Sequence, residues 1–225
     1  MRQLSSISIS RLDHKCKSLD LSNSDIEVAW RILHESVLEL QHDLSNFEMH
    51  HVPGLTKIQL YDGKGIQIRL NIFDEPNDNS KEALESIHNH HHSFIALNIG
   101  TGTYQNNIFD IALIDEGKYK FSVWKRLPSS STLMKTSMKS AELIIIDTFE
   151  YSPGKSYFIH STKYHNITDA TEGVMTFIIR ETRSSESQYV LSAGEHRPAG
   201  FETRKIECID KKRAIALKFL KDVNI

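Results

Sequence analysis

Residues 87–102 read IHNHHHSFIALNIGTG and place four of the chain's 12 histidines within five positions. On a β-strand, alternate side chains lie on the same face, about 6–7 Å apart along the backbone. The pattern therefore predicts that His88 and His90 lie side by side, where both imidazoles can bind one metal ion. His92 has the same parity but lies about 13 Å from His88, so it would join them only on a bulged strand.

A third ligand is expected from a second stretch, residues 154–168, which read GKSYFIHSTKYHNIT. His165 follows a proline–glycine turn and a short apolar strand, and another apolar strand comes after it. This position predicts that His165 completes the metal site, with His160 at the end of the preceding strand as the alternative. The apolar residues 94–97 directly after the first cluster argue against a surface loop that binds metal only adventitiously.

Outward from these stretches, many short segments are predicted as strands because apolar and polar residues alternate or because the run is apolar. Turn residues separate them, for example Gly-Thr-Gly at 100–102 and Ser-Pro-Gly at 152–154. The close spacing, without interleaved helices, predicts an antiparallel sandwich or barrel. A serine-rich stretch, 128–140, is predicted as a loop. The predicted strands are 56–61, 66–73, 88–99, 103–114, 119–125, 143–150, 156–160 and 174–181.

The two ends of the chain have a different pattern. Residues 22–45 carry apolar side chains at three- and four-residue spacing, which predicts a helix that packs on the main body. Residues 210–220 are predicted as a second, short helix. We therefore expect one domain over 1–225. It has a helical N-terminal extension (1–50), a β-barrel core (56–182) and a C-terminal extension (183–225).

Composition excludes several classes of protein. With 39% hydrophobic and 25% charged residues, the chain is typical of a globular protein. A net charge of −2 gives no basic surface for nucleic acid. No apolar run is long enough to span a membrane, and the N-terminus lacks the apolar core of a secretory signal. Cys16 and Cys208 are too few for a disulfide scaffold. We therefore expect a cytoplasmic protein without nucleic-acid or membrane partners.

The ordered set of these motifs resembles the cupin superfamily. His88, His90 and Gly102 match its first motif. Pro153, Gly154, His165 and Ile167 match its second, and the resemblance covers residues 56–182. It implies a mainly β fold, a cupin-like double-stranded β-helix, here with an N-terminal helix and a short C-terminal helix. It also implies a metal site formed by His88, His90 and His165.

The sequence departs from the usual cupin pattern after the second histidine. Most metal-binding cupins supply a glutamate there, whereas residues 91–95 read HHSFI and contain no carboxylate. Three histidines without an acid resemble the cysteine dioxygenase branch, whose iron is held by three imidazoles. That branch also has a thioether-forming cysteine, which Ile95 replaces here, so the crosslink cannot form. Arg69 is a loose positional match to the arginine that binds substrate in that branch.

Three neutral ligands leave the metal with its full charge of +2, so the site should attract anionic ligands. Three protein ligands also leave coordination positions open for chemistry. The resemblance implies Fe(II). Zn, Ni or Mn are alternatives because imidazole suits several metals. No organic cofactor is expected.

Other polar residues are candidates for the same site. His92, Tyr157 and His160 are the catalytic candidates, of which His92 would orient substrate or relay a proton. The alternatives are solvent contact at the rim for His92, an ordinary strand end for His160 and packing for the tyrosines. The substrate-binding candidates are Arg69, Arg180 and Tyr104, since an inward-facing arginine can bind a carboxylate with two hydrogen bonds.

We therefore expect an Fe(II)-dependent cupin dioxygenase, an oxidoreductase acting on a small anionic or thiol-containing molecule. The alternatives are a metal-dependent isomerase, lyase or hydrolase on the same scaffold, and a non-enzymatic protein that binds a small molecule. These alternatives stay open because one fold hosts many functions. A homodimer formed through a sheet edge is also expected, since such pairing would protect exposed strand groups.

Overall fold

The computed structural model describes residues 31, 35, 48–52, 55–62, 66–73, 86–114, 119–127, 134–181 and 188–192. Arg31 and Glu35 are helical and exposed, and the remainder of the helix predicted at 22–45 lies outside the described residues. So does the helix predicted at 210–220. The described strands are β1 (Glu48–Val52), β2 (Leu55–Asp62), β3 (Ile66–Phe73), β4 (Ile87–His88), β5 (Phe94–Asn98), β6 (Tyr104–Ile114), β7 (Tyr119–Arg126), β8 (Met134–Tyr151), β9 (Ser156–Ile159), β10 (Tyr164–Thr168), β11 (Met175–Glu181) and β12 (Gln188–Ser192).

The strands form two antiparallel sheets. The first has the order β1-β2-β3-β11-β5-β9. The second has the order β10-β4-β12-β7-β8-β6, and β6 pairs back onto β10, so these strands close into a ring. The mainly β architecture predicted from the sequence, built from antiparallel strands, is therefore confirmed. No helix within the described ranges is both long enough and apolar enough to cross a membrane.

A buried apolar cluster joins the two sheets. Strand alternation sends one set of side chains from each sheet into the space between them. The first sheet supplies most of the cluster, and Tyr104 and Tyr151 come from the second. The whole cluster consists of Phe73, Phe94, Ala96, Tyr104, Tyr151, Tyr157, Ile159, Val174 and Ile178. These rings and branched chains form the floor beneath the polar end of the interior.

At two positions of the predicted cupin motifs, the local backbone geometry explains why the residue is glycine. A Cβ on Gly102 would overlap the carbonyl oxygen of Glu172, so only glycine allows this approach. Gly154 has φ +80°, and the amide of Lys155 donates to the carbonyl of Ser152 at 3.1 Å. With Pro153 before it, Gly154 forms a type II turn between β8 and β9.

Some predicted strand limits are wrong. The strand predicted at 88–99 is interrupted, because residues 89–93 bend between β4 and β5. The serine-rich loop predicted at 128–140 ends earlier, since β8 begins at Met134. The strands β1, β10 and β12 were not predicted. β1 and β12 also reach beyond the range 56–182 expected for the barrel core.

Candidate metal centre

The three predicted ligands come together at one end of the interior. His88 on β4 and His165 on β10 are directly paired in the second sheet, and His90 follows two residues after His88. Their imidazole centroids lie 4.7–5.0 Å apart. One ligand nitrogen from each ring lies within 4.8 Å of the other two. Three imidazole nitrogens converging in this way form a donor set that fits a divalent transition metal.

Hydrogen bonds fix which nitrogen two of the rings present. Nδ1 of His88 donates to the carbonyl of Ser86 at 2.8 Å, and Nδ1 of His165 donates to Oδ1 of Asn106 at 2.9 Å. In this tautomer each Nε2 keeps its lone pair for a metal. Nε2 of His165 lies 2.8 Å from Nε2 of His90. The buried amide of Asn106 is therefore part of the centre, although the sequence did not single it out.

Burial keeps the imidazoles neutral. Loss of solvent lowers the pKa of His88 to about 4, with a further decrease from the charge of Lys57. Burial also lowers the pKa of His90 and His165, and the neighbouring rings add to the effect. An imidazole binds metal through an unprotonated nitrogen. The cluster is thus ready for metal at neutral pH.

His90 lies outside a regular strand, and buried polar groups hold its segment in place. The side chain of Asn89 donates to the carbonyl of Ser161 at 3.2 Å, and its backbone amide donates to the carbonyl of Tyr189 at 3.1 Å. Oγ of Ser93 accepts the amide of Ser161 at 3.0 Å. These bonds attach both ends of the bend to β12 and to the β9–β10 connection.

Phe94 connects the metal centre to the apolar floor. Its ring centroid lies 4.8 Å from that of His90 and 5.9 Å from that of His165. On the other side it lies 6.2 Å from the ring of Tyr157. The imidazoles therefore rest on an aromatic surface, which limits the water that can reach them from below.

The first sheet faces this cluster with a row of cations. Lys57 on β2 is paired with Asn71, Arg69 on β3 with Ile178, and Arg180 on β11 with Phe94. Successive cations are thus diagonal neighbours on one sheet face, about 7–8 Å apart at the backbone. We call Lys57, Arg69 and Arg180 the cation row. Of these residues, Arg69 and Arg180 were predicted from the sequence, and Lys57 was not.

Burial and mutual repulsion disfavour the charged forms of the residues in the cation row. Burial and then the charge of Arg180 lower the pKa of Arg69 to about 9. Burial first, and then the charges of Arg69, Arg180 and Arg126, lower the pKa of Lys57. Burial lowers the pKa of Arg180, and the charge of Asp62 partly opposes this decrease. Within the described part of the chain no carboxylate pairs with Lys57 or Arg69. The interior therefore has an excess of positive charge before any metal is added.

The two predicted tyrosines, Tyr104 and Tyr157, belong to the buried apolar cluster. Their ring centroids lie 6.2 Å apart. Burial raises the pKa of both phenols, whereas the charge of Arg69 opposes the increase at Tyr157. Tyr157 is therefore the tyrosine of the floor on which the charge of Arg69 acts. Tyr104 is only 1% exposed and packs between Phe73 and Tyr151.

The structure does not bring His92 or His160 into the three-imidazole cluster. His92 is half-buried and has its ring 6.0 Å from that of His91. His160 is exposed, and its Nδ1 is hydrogen-bonded to the hydroxyl of Thr162 at 2.8 Å. The alternative in which His160 replaces His165 as a ligand therefore does not match the geometry.

Lys57 and Asn106 were missed for different reasons. Lys57 shares a strand face with Leu55 and Gln59, whereas Thr56 and Ile58 on the other face are more buried, so alternation alone did not predict that Lys57 points inward. Asn106 is one of three consecutive polar residues on β6, and only the pairing of β6 with β10 brings its side chain to His165. No local pattern marks such a contact.

Comparison with known proteins yields structural neighbours but no sequence relative. No family model and no curated protein matches the chain. The matching solved structures include the oxalate decarboxylase of Bacillus subtilis, with 12% identity, a TM-score of 0.36, and coverage of 64% of this chain and 30% of that one. They also include an RmlC-like cupin from Shewanella frigidimarina, with 14% identity, a TM-score of 0.32, and coverage of 64% and 90%.

A third neighbour is the polyketide cyclase RemF from Streptomyces resistomycificus, with 11% identity, a TM-score of 0.34, and coverage of 69% of this chain and 86% of that one. Of these three proteins, the one from Shewanella frigidimarina is described as a cupin. The identities and TM-scores are low, so the likeness carries no argument about function. The site's own geometry therefore has to support any functional interpretation.

Proposed function

We propose that this protein is an Fe(II)-dependent cupin oxidoreductase, a dioxygenase acting on a small anionic or thiol-containing molecule. One observation carries the proposal: three neutral imidazoles converge within 4.8 Å in a cation-rich interior. In the described ranges no carboxylate belongs to this ligand group. Such a site favours an anionic donor atom on the substrate, because nothing on the protein side offsets the charge of the metal.

Each group has a defined role in this proposal. His88, His90 and His165 would hold the metal. Fe(II), when bound, supplies redox chemistry toward O₂ and an electrophilic centre for an anionic donor. Arg69 would orient the substrate by donating hydrogen bonds to a carboxylate, and the phenol of Tyr157 lies on the same side of the interior. Phe94 would exclude water from beneath the reacting groups.

Metal analysis together with oxygen consumption tests the proposal. Protein purified under argon is loaded with Fe(II), its iron content is measured, and O₂ uptake is followed with a panel of small thiols and carboxylates. We expect one iron per chain and substrate-dependent O₂ uptake. His165→Gln should abolish both. His50→Gln is the matched control, since His50 pairs with exposed Glu48 at 3.0 Å and should retain both.

Two outcomes would contradict the oxidoreductase assignment. Turnover that needs metal but proceeds equally well without oxygen would identify an isomerase, lyase or hydrolase instead. Stoichiometric metal binding with tight ligand binding and no product would identify a binding protein. Iron binding that survives His165→Gln would contradict the metal centre itself.

A further inference from the structure

The cation row contains more positive charge than a substrate with one anionic group can neutralise. Lys57, Arg69 and Arg180 lie diagonally across three adjacent strands of one sheet face. Their charges act on one another, and Arg126 adds to the effect at Lys57. Asp62 offsets part of the charge at Arg180, but among the described residues no carboxylate pairs with Lys57 or Arg69. A divalent metal on the opposing imidazoles would raise this excess further. Buried cations without anionic partners are costly, so a ligand that supplies the missing negative charge should bind favourably.

Hydrogen-bond donors in the same interior are also unused. Nε of Arg69 and Nε of Arg180 are buried and have no hydrogen-bond partner among the described residues. On the second sheet, Nε1 of Trp124 is likewise buried without one. Trp124 shares a row with His88, since Val190 on β12 is the register partner of both. Buried N–H donors on two sides of the interior therefore have no acceptor among the described residues.

We propose that the substrate carries two separate anionic groups, one adjacent to the three imidazoles and a second, an oxyanion, held by Arg69 together with Lys57 and Arg180. This inference rests on the proposed metal centre and narrows its substrate class from an anion to a small dianion. The opposing sheets of a sandwich lie about 10 Å apart. A short chain of atoms is therefore enough to connect the two anionic groups.

Matched pairs of acids test the two-group requirement. The Zn(II)-loaded protein, which cannot turn over by redox chemistry, is titrated calorimetrically with malonate, succinate and glutarate. Each is compared with the monocarboxylate of equal length: propionate, butyrate and valerate. We expect at least one dicarboxylate to bind at least tenfold more tightly than its partner. If no dicarboxylate exceeds its partner, the inference is overturned.

Variants locate the second group. In Arg69→Gln and in Lys57→Met, the preferred dicarboxylate should fall to the affinity of its monocarboxylate partner, which itself should change little. Lys163→Met is the control, because Lys163 is a surface cation paired with Asp110 at 2.7 Å, and it should keep the preference. A preference that survives both Arg69→Gln and Lys57→Met would contradict the assignment. Each interior variant removes an unpaired cation, so neither should lower the unfolding midpoint.

A measurement on metal-free protein separates this inference from the metal centre. Inorganic phosphate should raise the unfolding midpoint of the metal-free wild type, because it binds the folded cation row, and the effect should be lost in Arg69→Gln. Absence of the phosphate effect in the wild type would overturn the second anion site even if Zn(II) binds. Conversely, failure to bind Zn(II) with an intact phosphate effect would contradict the proposed function and support the cation row as an anion site.

Discussion

The buried side-chain amide of Asn106 determines which ring nitrogen of His165 is available to a metal. It is 0% exposed, and its Oδ1 accepts the Nδ1 proton of His165, which leaves Nε2 of that ring for a metal. Partners of this kind typically change metal affinity by about 10–100-fold when removed. We therefore expect Asn106→Ala to weaken Zn(II) binding by about that factor, as measured by competition with a chromogenic chelator.

A neighbouring amide provides the control. Asn107 lies on the same strand, but its side chain donates to Asn166 and Thr168 and accepts from Thr148, and it bonds to no imidazole among the described residues. Asn107→Ala should leave Zn(II) affinity within about twofold. Equal loss in the two variants would mean that Asn106 acts through the strand rather than through His165.

The pKa shifts of the ligands predict acid sensitivity of the metal-free protein. The pKa of His88 is lowered from 6.5 to about 4 on folding, so the folded state prefers the neutral ring. Its contribution to stability is complete above the unfolded pKa of 6.5 and is lost as pH falls from about 6.5 to about 4. His90 and His165 act in the same direction.

Denaturant midpoints at pH 7 and pH 5 measure this effect in a range where most carboxylates remain ionised. The wild type should lose more stability over this range than His88→Gln, which has no ring to protonate at position 88. The same slope in both proteins would show that His88 is not held neutral by the fold.

At the scale of elements, the two motif glycines should respond differently to alanine. Gly154 has φ +80° with open space around its Cβ direction, so Gly154→Ala adds only backbone strain of about 1–2 kcal/mol. Gly102→Ala would place a methyl group against the backbone of Glu172 and Val174 and should cost more. Chemical denaturation of the two variants checks the order, and a smaller loss at Gly102 would contradict the steric reason.

Alternation along single strands was the reliable part of the sequence pattern. It predicted β3 with its observed limits and β6 and β11 to within one residue, because each buries one face against the cluster. It failed where long-range polar contacts decide the backbone path. Asn89 and Ser93 bend the chain by bonding to Ser161, about 70 positions away. The short polar strand β10 was missed because the pairing of His165 with His88 is likewise non-local.

The candidate ligands were predictable although the element carrying them was not. His88 and His90 were expected to converge along a regular strand, whereas the bend after β4 brings them together. The matching motif around His165 was sufficient to identify the third ring. Lys57 and Asn106 depend on which strands pair across the interior, and one chain without its register cannot show this.

At the scale of the whole molecule, the two sheets divide the chemistry between them. The second sheet and the connection that leaves it supply the imidazoles, and the first sheet supplies the cation row. The apolar cluster between them sets their separation. A metal held by the imidazoles and an anionic ligand held by the cation row would therefore lie on opposite walls of one interior. The affinity for each should change when the residues that bind the other are replaced.

Metal should consequently stabilise the whole fold. His88 lies on β4, which pairs with both β10 and β12, so a metal bound to the three rings reinforces strands from widely separated parts of the chain. A ligand that binds only the folded state at 100 times its dissociation constant adds about 2.7 kcal/mol. For a domain of this size that corresponds to a midpoint increase of roughly 5–10 °C.

Thermal unfolding of the Zn(II)-loaded protein with and without a chelator measures this increase directly. The chelator should lower the midpoint of the wild type by that amount and leave His165→Gln unchanged, since the variant has no complete site to lose. An equal decrease in both proteins would mean that the chelator acts elsewhere. No decrease in the wild type would mean that the three rings, although adjacent, do not hold a metal strongly enough to couple the strands that carry them.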